Sequence, residues 1–305
     1  MRVLLIDVDR GNFPNLALMK ISRFHKLRGD KVGFNISDPD RVYISVVFTK
    51  NRNKALSAAR IYKLCGKEIL IGGSGYNYNI KLPDEIEYLM PDYELYNIDY
   101  GMGFTSRGCI RKCPFCIVPK KEGYIRHHQY VWEFLPNDFN KVVLLDNNFL
   151  ASPTFKENIE YLIDNQIKVN FNQGLDLRLV NEENARLIAE CKYYDFHFKR
   201  RSIYVAWDWV KLERVVFRGL NLLIDAGIKP HHIMVYVLTG FNTTFEEDLY
   251  RVTKLIKFGV KPYVMIYNRD DPQNKYDPRL KHLQRWINRF YYQFVSWEDY
   301  SERFL

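Results

Sequence analysis

The stretch Lys141-Val142-Val143-Leu144-Leu145-Asp146-Asn147-Asn148 decides the fold. Its apolar part is too short for a helix and is bounded by polar residues, as in a buried strand. It then turns polar abruptly, in an acid and two amides. The same pattern recurs downstream. Lys168-Val169-Asn170-Phe171 runs into Asn172-Gln173-Gly174, with Asp176 and Arg178 just beyond. Ser202-Ile203-Tyr204-Val205-Ala206 runs into Trp207-Asp208, and residues 232–238 into Thr239-Gly240-Phe241-Asn242-Thr243-Thr244. Residues 262–267 end in Asn268-Arg269-Asp270. Helical spacing fills the gaps at 154–165, 181–191, 211–226 and 244–258. The last of these opens with N-cap chemistry at Thr243 or Thr244 and has Glu246, Glu247 and Asp248 in its first turn. With Gly103-Phe104-Thr105 as a first strand, the alternation predicts a (β/α)6 partial TIM barrel, whose functional residues sit at the C-terminal strand ends. A single polar strand end can be no more than a helix cap, and Asp208 and Thr243 admit that reading. Five in succession describe a site.

Upstream, the alternation is tighter. Arg2-Val3-Leu4-Leu5-Ile6-Asp7 reads as a buried strand. Leu16, Met19, Ile21, Phe24 and Leu27 then mark a helix closed by Gly29. Arg41–Val47 gives a strand, Ala55, Ala58, Ala59, Ile61, Tyr62 and Leu64 a helix, and Glu68-Ile69-Leu70-Ile71 a strand running into Gly72-Gly73-Ser74-Gly75. This is the pattern of a small doubly wound, Rossmann-like α/β domain. The glycine run lacks the G-x-G-x-x-G spacing of a dinucleotide fingerprint. It reads first as a tight turn and second as a phosphate cradle. The predicted organisation is a domain over 1–97 (82–100 being a connector), a barrel over 98–270 and a C-terminal helical extension over 271–305. In the extension, Leu280, Leu283, Ile287, Phe290 and Phe294 form an apolar stripe for packing. Trp286 and Tyr292, with interleaved arginines, offer an alternative use as a nucleic-acid clamp.

Between the first two predicted strands of the barrel lies Gly108-Cys109-Ile110-Arg111-Lys112-Cys113-Pro114-Phe115-Cys116, which holds three of the five cysteines. Three thiols so close can share one metal centre, whereas a disulfide would strand the third. Three thiolates on a [4Fe–4S] cluster would leave one iron open for chemistry. A structural zinc with His127 or His128 as fourth ligand uses the same sulfurs, as in a non-catalytic nucleic-acid-binding protein. A zinc knuckle gives no reason for the polar strand ends. Cys65 and Cys191 stand alone in apolar-periodic stretches and are expected to be buried. A 47% hydrophobic, 27% charged composition is that of a globular chain. The net charge of +9 is dispersed except around the cysteines, at Arg107, Arg111, Lys112, Lys120, Lys121, Arg126, His127 and His128. That concentration suggests a nucleic acid or another anionic partner. No stretch has the length of a membrane span, and the cysteine usage fits the cytoplasm.

The motif Cys109-x3-Cys113-x2-Cys116, with aromatic Phe115 before the last cysteine, resembles that of the radical S-adenosylmethionine (radical SAM) superfamily. Gly240-Phe241-Asn242-Thr243-Thr244-Phe245-Glu246-Glu247-Asp248 is similar to the fifth-strand motif of its methylthiotransferase and cobalamin-linked branches. The resemblance covers about residues 98–270. It implies that Cys109, Cys113 and Cys116 hold a [4Fe–4S] cluster whose fourth iron is chelated by SAM. One electron, from a reductase or a flavodoxin- or ferredoxin-type donor, would cleave SAM to methionine and a 5′-deoxyadenosyl radical that abstracts a substrate hydrogen. It places Phe115 and Gly240 near adenine, Asp146 and Asn148 at the amino group, Gln173 and Asp176 at ribose or substrate, and Arg178 at the carboxylate. A local Asp176–Arg178 ion pair is the alternative for those two. Residues 1–80 resemble the cobalamin-binding-like domain of one branch. The first loop reads Asp7-Val8-Asp9-Arg10-Gly11, however, with Asp9 where D-x-H-x-x-G carries the cobalt-binding histidine. His25 lies within a helix and cannot substitute. A domain without cobalamin is therefore expected, a cobalamin-dependent radical methyltransferase being the alternative. Where relatives show E-S-G, this chain has Ala206-Trp207-Asp208, so its substrate chemistry is expected to be its own.

Overall fold

A computed structural model describes residues 1–11, 13–271 and 273–302. The chain is α/β with mostly parallel sheets. It forms two compact units, one of residues 1–103 and 129–139, the other of residues 104–128 and 140–305. The second unit therefore includes the predicted C-terminal extension, and the first takes back a short segment from beyond the cysteines.

The first unit carries β1 (Arg2–Asp7), α1 (Leu16–Leu27), β2 (Lys31–Gly33), β3 (Arg41–Ser45), α2 (Arg52–Leu64) and β4 (Glu68–Gly72). The strands form a parallel sheet in the order β2-β1-β3-β4. Burial follows the apolar runs: Val3, Leu5, Leu18, Ile21 and Tyr43 pack on one face, and Leu4, Val42, Ile44, Val46 and Ala55 on the other. Helix α1 starts where Asn15 caps Leu18 N–H at 3.2 Å. Its His25 is buried between Asp30 at 2.7 Å and the Tyr43 hydroxyl at 3.2 Å. The loop after β4 is a hydrogen-bonded turn, with Gly75 N–H on Val46 O and Tyr76 N–H on Gly73 O, each at 3.0 Å. Asp9 ties the first loop to the third: its carboxylate accepts from the backbone of Val47 and Phe48 and from Asn51 Nδ2. Cys65, expected to be buried, is exposed. Helix α2, which it ends, buries Ala55 alone among its residues, so the apolar periodicity there does not mark a fully covered face. The unit is completed by α3 (Asp84–Glu87), β5 (Gly101–Gly103) and α5 (Val131–Phe134). The Tyr93 hydroxyl receives Met102 N–H at 3.1 Å and donates to the Phe134 carbonyl.

The second unit opens with β6 (Ser106–Arg107), α4 (Val118–Lys121) and β7 (Arg126–His127). Then come β8 (Lys141–Leu144), α6 (Phe155–Asp164), β9 (Lys168–Phe171), α7 (Glu182–Glu190), β10 (Lys192–Tyr193) and β11 (Ile203–Ala206). Next are α8 (Glu213–Asp225), β12 (Ile233–Thr239), α9 (Phe245–Phe258), β13 (Lys261–Ile266), α10 (Arg279–Asn288) and α11 (Trp297–Ser301). Strands β8, β9 and β10 pair in parallel, as do β11, β12 and β13, and a parallel bridge from Leu175 to Val205 links the two groups. Most predicted elements lie within one or two residues of those observed. The expected first strand at 103–105 is the exception, replaced by β5 and β6 on either side of it. Helix α9 is capped by Thr244, not Thr243, in a reciprocal box with Glu247. Asp208 is not a helix cap: the one-turn 3-10 helix after β11, Val210–Leu212, has Trp209 at its N-cap. In α10, Leu280, Leu283, Trp286 and Ile287 are buried. The apolar stripe stops there, because Phe290 adopts φ 60° beyond the helix end and Phe294 is 87% exposed. Among the described residues, no helix is long and apolar enough to cross a membrane.

Candidate functional site

The cysteine segment is a closed loop. Its neck is the antiparallel pair β6–β7, with Ser106 opposite His127 and Arg107 opposite Arg126, and Cys109 N–H continues it onto Gly123 O at 3.2 Å. Gly108 makes the neck possible. It has φ +86°, and a Cβ there would collide with the Tyr124 carbonyl. Beyond the neck the backbone turns its N–H groups toward sulfur: Arg111 N–H lies 3.3 Å from Cys109 Sγ, and Val118 N–H 3.4 Å from Cys116 Sγ. Asn148 Nδ2 adds a contact to Cys109 Sγ at 3.6 Å, and Arg178 hydrogen-bonds Cys113. All three sulfurs thus face donors, which favours thiolate character. Burial acts the other way, pushing the Cys113 and Cys116 thiols above their ordinary range. Among the described residues, no group of three or more His, Cys, Asp and Glu side chains stands together as a metal-holding set. His127 Nδ1 is engaged with Thr154 Oγ1 at 3.0 Å, and His128 is buried edge-on to Phe104.

Three strand ends bring side chains to this loop, with different results. At the end of β8, Asp146 is fully enclosed. Its Oδ1 accepts from Thr105 Oγ1 at 2.6 Å, Ser106 N–H at 2.6 Å and Ser106 Oγ at 2.7 Å, while Oδ2 accepts Thr105 N–H at 3.0 Å. Burial raises its pKa, against the pull of those donors. The carboxylate therefore anchors the chain entering the cysteine loop. Asn148, 3% exposed, donates from Nδ2 to Asp176 at 3.3 Å, and its buried Oδ1 has no hydrogen-bond partner among the described residues. A buried acceptor left open beside a thiol needs an explanation, and a ligand N–H supplies one.

After β9, Gln173 is exposed. Asp176 and Arg178 form the local ion pair, with Arg178 Nε on Oδ1 at 2.6 Å and Nη2 on Oδ2 at 3.0 Å. Arg111 Nε, from the cysteine loop, reaches the same Oδ2 at 3.0 Å. Burial opposes ionisation of Asp176, but Arg178 and Arg111 outweigh it and hold the carboxyl below its usual range. The ion pair and the site are therefore one arrangement, since the pair steadies Arg178 against Cys113.

At the end of β11, Trp207 is buried against Phe217 and Tyr250. Strand alternation turns Asp208 to the opposite side. Its neighbours by charge are Arg251, Arg178 and Asp176, and it in turn acts on both Cys113 and Cys116. Burial pushes its carboxyl up to about 6. Arg251 does not bond it. That fully buried guanidinium donates to Trp207 O and Leu238 O, each at 2.6 Å, and to Asp248 at 2.5 Å. Asp248 in turn takes Gly240 N–H at 3.0 Å. The Asp248–Arg251 pair, one turn apart on α9, thus locks the ends of β11 and β12. Sequence reasoning saw Asp248 as a helix-start residue and as part of the fifth-strand motif, and missed Arg251; their i,i+3 spacing was the available signal. Phe115 packs against Trp209 and Phe241 at centroid distances of 5.4 and 5.6 Å, and Phe241 against Tyr267 at 4.6 Å. An aromatic arc therefore borders the loop beside Gly240.

No protein-family model matches the chain, and no curated protein matches its sequence.

Proposed function

We propose that this protein is a radical SAM enzyme whose second unit is a (β/α)6 partial barrel, with Cys109, Cys113 and Cys116 as ligands of a [4Fe–4S] cluster. The observation that carries the reading is convergence. Side chains from the ends of β8, β9 and β11 meet at one loop of three thiols, and each thiol faces hydrogen-bond donors of the kind that tune cluster ligands. A structural zinc would not call for a buried, unpaired amide oxygen at Asn148 nor for an unpaired carboxylate at Asp208.

When bound and reduced, the cluster would supply the single electron that cleaves the sulfonium bond of SAM, giving a radical able to abstract hydrogen. The chain's own residues do the rest. Asp146 fixes Thr105 and Ser106, and so the direction in which the loop leaves β6. Asn148 offers Oδ1 to an amino group. Arg178, oriented by Asp176, supplies positive charge for a carboxylate. Phe115, Trp209 and Phe241 offer apolar ring surface to adenine and keep water from it. A reductase or small flavodoxin- or ferredoxin-type protein would deliver the electron, in a cytoplasmic setting. The first unit is read as a cobalamin-binding-like domain that works without cobalamin, its Asp9 being engaged in holding its own loops.

Anaerobic reconstitution with iron and sulfide tests the proposal. The expected result is a brown protein, bleached by dithionite, that releases 5′-deoxyadenosine from SAM. Cys113→Ala should lose colour and cleavage together. A colourless protein holding one zinc per chain would end the proposal.

A further inference from the structure

The sheet β11-β12-β13 has two unlike faces. Along β12, Ile233, Val235, Val237 and Thr239 are fully buried under the helices, while Met234, Tyr236 and Leu238 are not. Register places Ala206, Tyr236 and Tyr263 side by side, then Leu238 beside Met265. Tyr263 is 37% and Met265 46% exposed. Tyr204 and Tyr236 stack at 5.6 Å with 2° between their planes, and Tyr263 stands edge-on to Tyr236 at 5.7 Å. Two residues beyond Ala206, on this same face, comes Asp208. Its carboxylate makes no hydrogen bond or ion pair among the described residues, in contrast to Asp146, Asp176 and Asp248 nearby. Arg111 and Arg178 meanwhile pair with Asp176, and Arg251 with Asp248 and two carbonyls. The rim thus presents an acceptor above an apolar, ring-lined wall.

We propose that Asp208 recognises the paired N–H edge of a planar, largely apolar substrate, of the amidine or guanine kind, laid along the tyrosine face of β11–β13. This rests on the radical SAM reading and names the substrate class for that site. A carboxylate takes two parallel N–H donors in one plane, and a flat ring matches the stacked tyrosines below it. The raised pKa of Asp208 is in keeping with a carboxylate that waits for its donor.

Benzamidine, a planar ring bearing such an edge, is the probe, and benzoate is its anionic isostere. Both are titrated into the full chain at pH 7.5 by calorimetry. Benzamidine should bind at least tenfold more tightly than benzoate. Asp208→Asn should weaken benzamidine at least tenfold, and Tyr236→Leu should weaken it several-fold. Equal affinity for the two probes, no benzamidine binding, or an Asp208→Asn variant within twofold of the parent would overturn the proposal. Iron and sulfide uptake by the parent and by Asp208→Asn separates the two readings. Equal cluster uptake with lost benzamidine binding supports both. A parent that takes no cluster yet binds benzamidine through Asp208 sinks only the reaction class.

Discussion

Strands β8 and β12 both lie in parallel sheets and are both mostly apolar, yet their surroundings differ. Val142, Val143 and Leu144 of β8 are all buried, whereas β12 alternates buried and half-open positions along its length. The acids that follow the two halves differ in the same sense. Asp146, after β8, is saturated by donors from Thr105 and Ser106; Asp208, after β11, has none. One half of the unit is thus built to hold the cysteine loop still, the other to leave room. A polar strand end is by itself ambiguous between these uses. What separates them is whether its lone pairs are already taken.

The largest effect that could break this contrast is at Asp146. Asp146→Ala would leave two backbone N–H groups and two hydroxyls buried without their acceptor, and should cost about 3–5 kcal/mol in urea unfolding. A loss below ~1 kcal/mol would mean that the anchor is not needed. Next come the two faces of the open sheet. Val237→Ala, on the covered face of β12, should cost about 2 kcal/mol, and Met265→Ala, on the open face of β13, less than ~1 kcal/mol. Similar losses at both would show that the open face is packed in solution.

The most specific effect is at Asp208. The Asp208 carboxyl sits near 6 in the folded protein against 3.8 for an unperturbed group, so the folded state holds its proton more tightly than the unfolded state. Stability should therefore fall as pH rises from about 4 to about 6, and level off above. Asp208→Asn removes that penalty and should stabilise the protein by up to about 3 kcal/mol at pH 7.5, with little gain at pH 4. Thermal unfolding of parent and variant at both pH values measures it. A variant less stable at pH 7.5 would show that Asp208 has a partner in solution.

The strand and helix pattern was legible because apolar runs ending in amides and acids can be read one strand at a time. The thiol loop was legible from spacing alone. The division of labour among the acids was not, because Asp146 and Asp208 look alike in a chain, and only the approach of Thr105 from forty residues away distinguishes them. Cys65 was misjudged for a related reason: the periodicity of α2 reveals an apolar stripe but not whether anything covers it. The commitment of Arg111 to Asp176 was equally hidden. The return of residues 129–139 to the first unit left no mark in composition.

The two-residue ladder at the neck of the cysteine loop has a consequence for assembly. Bringing together the ends of a flexible loop carries an entropy cost that rises with its length. Here Ser106 and His127, with Cys109 on Gly123, already hold the ends of the loop. The jaw is closed at its hinge, while its tip, Cys113-Pro114-Phe115-Cys116, is touched from outside the loop by Arg178, Trp209 and Phe241. Under the radical SAM proposal, iron would meet cysteines whose loop is already tethered at its neck.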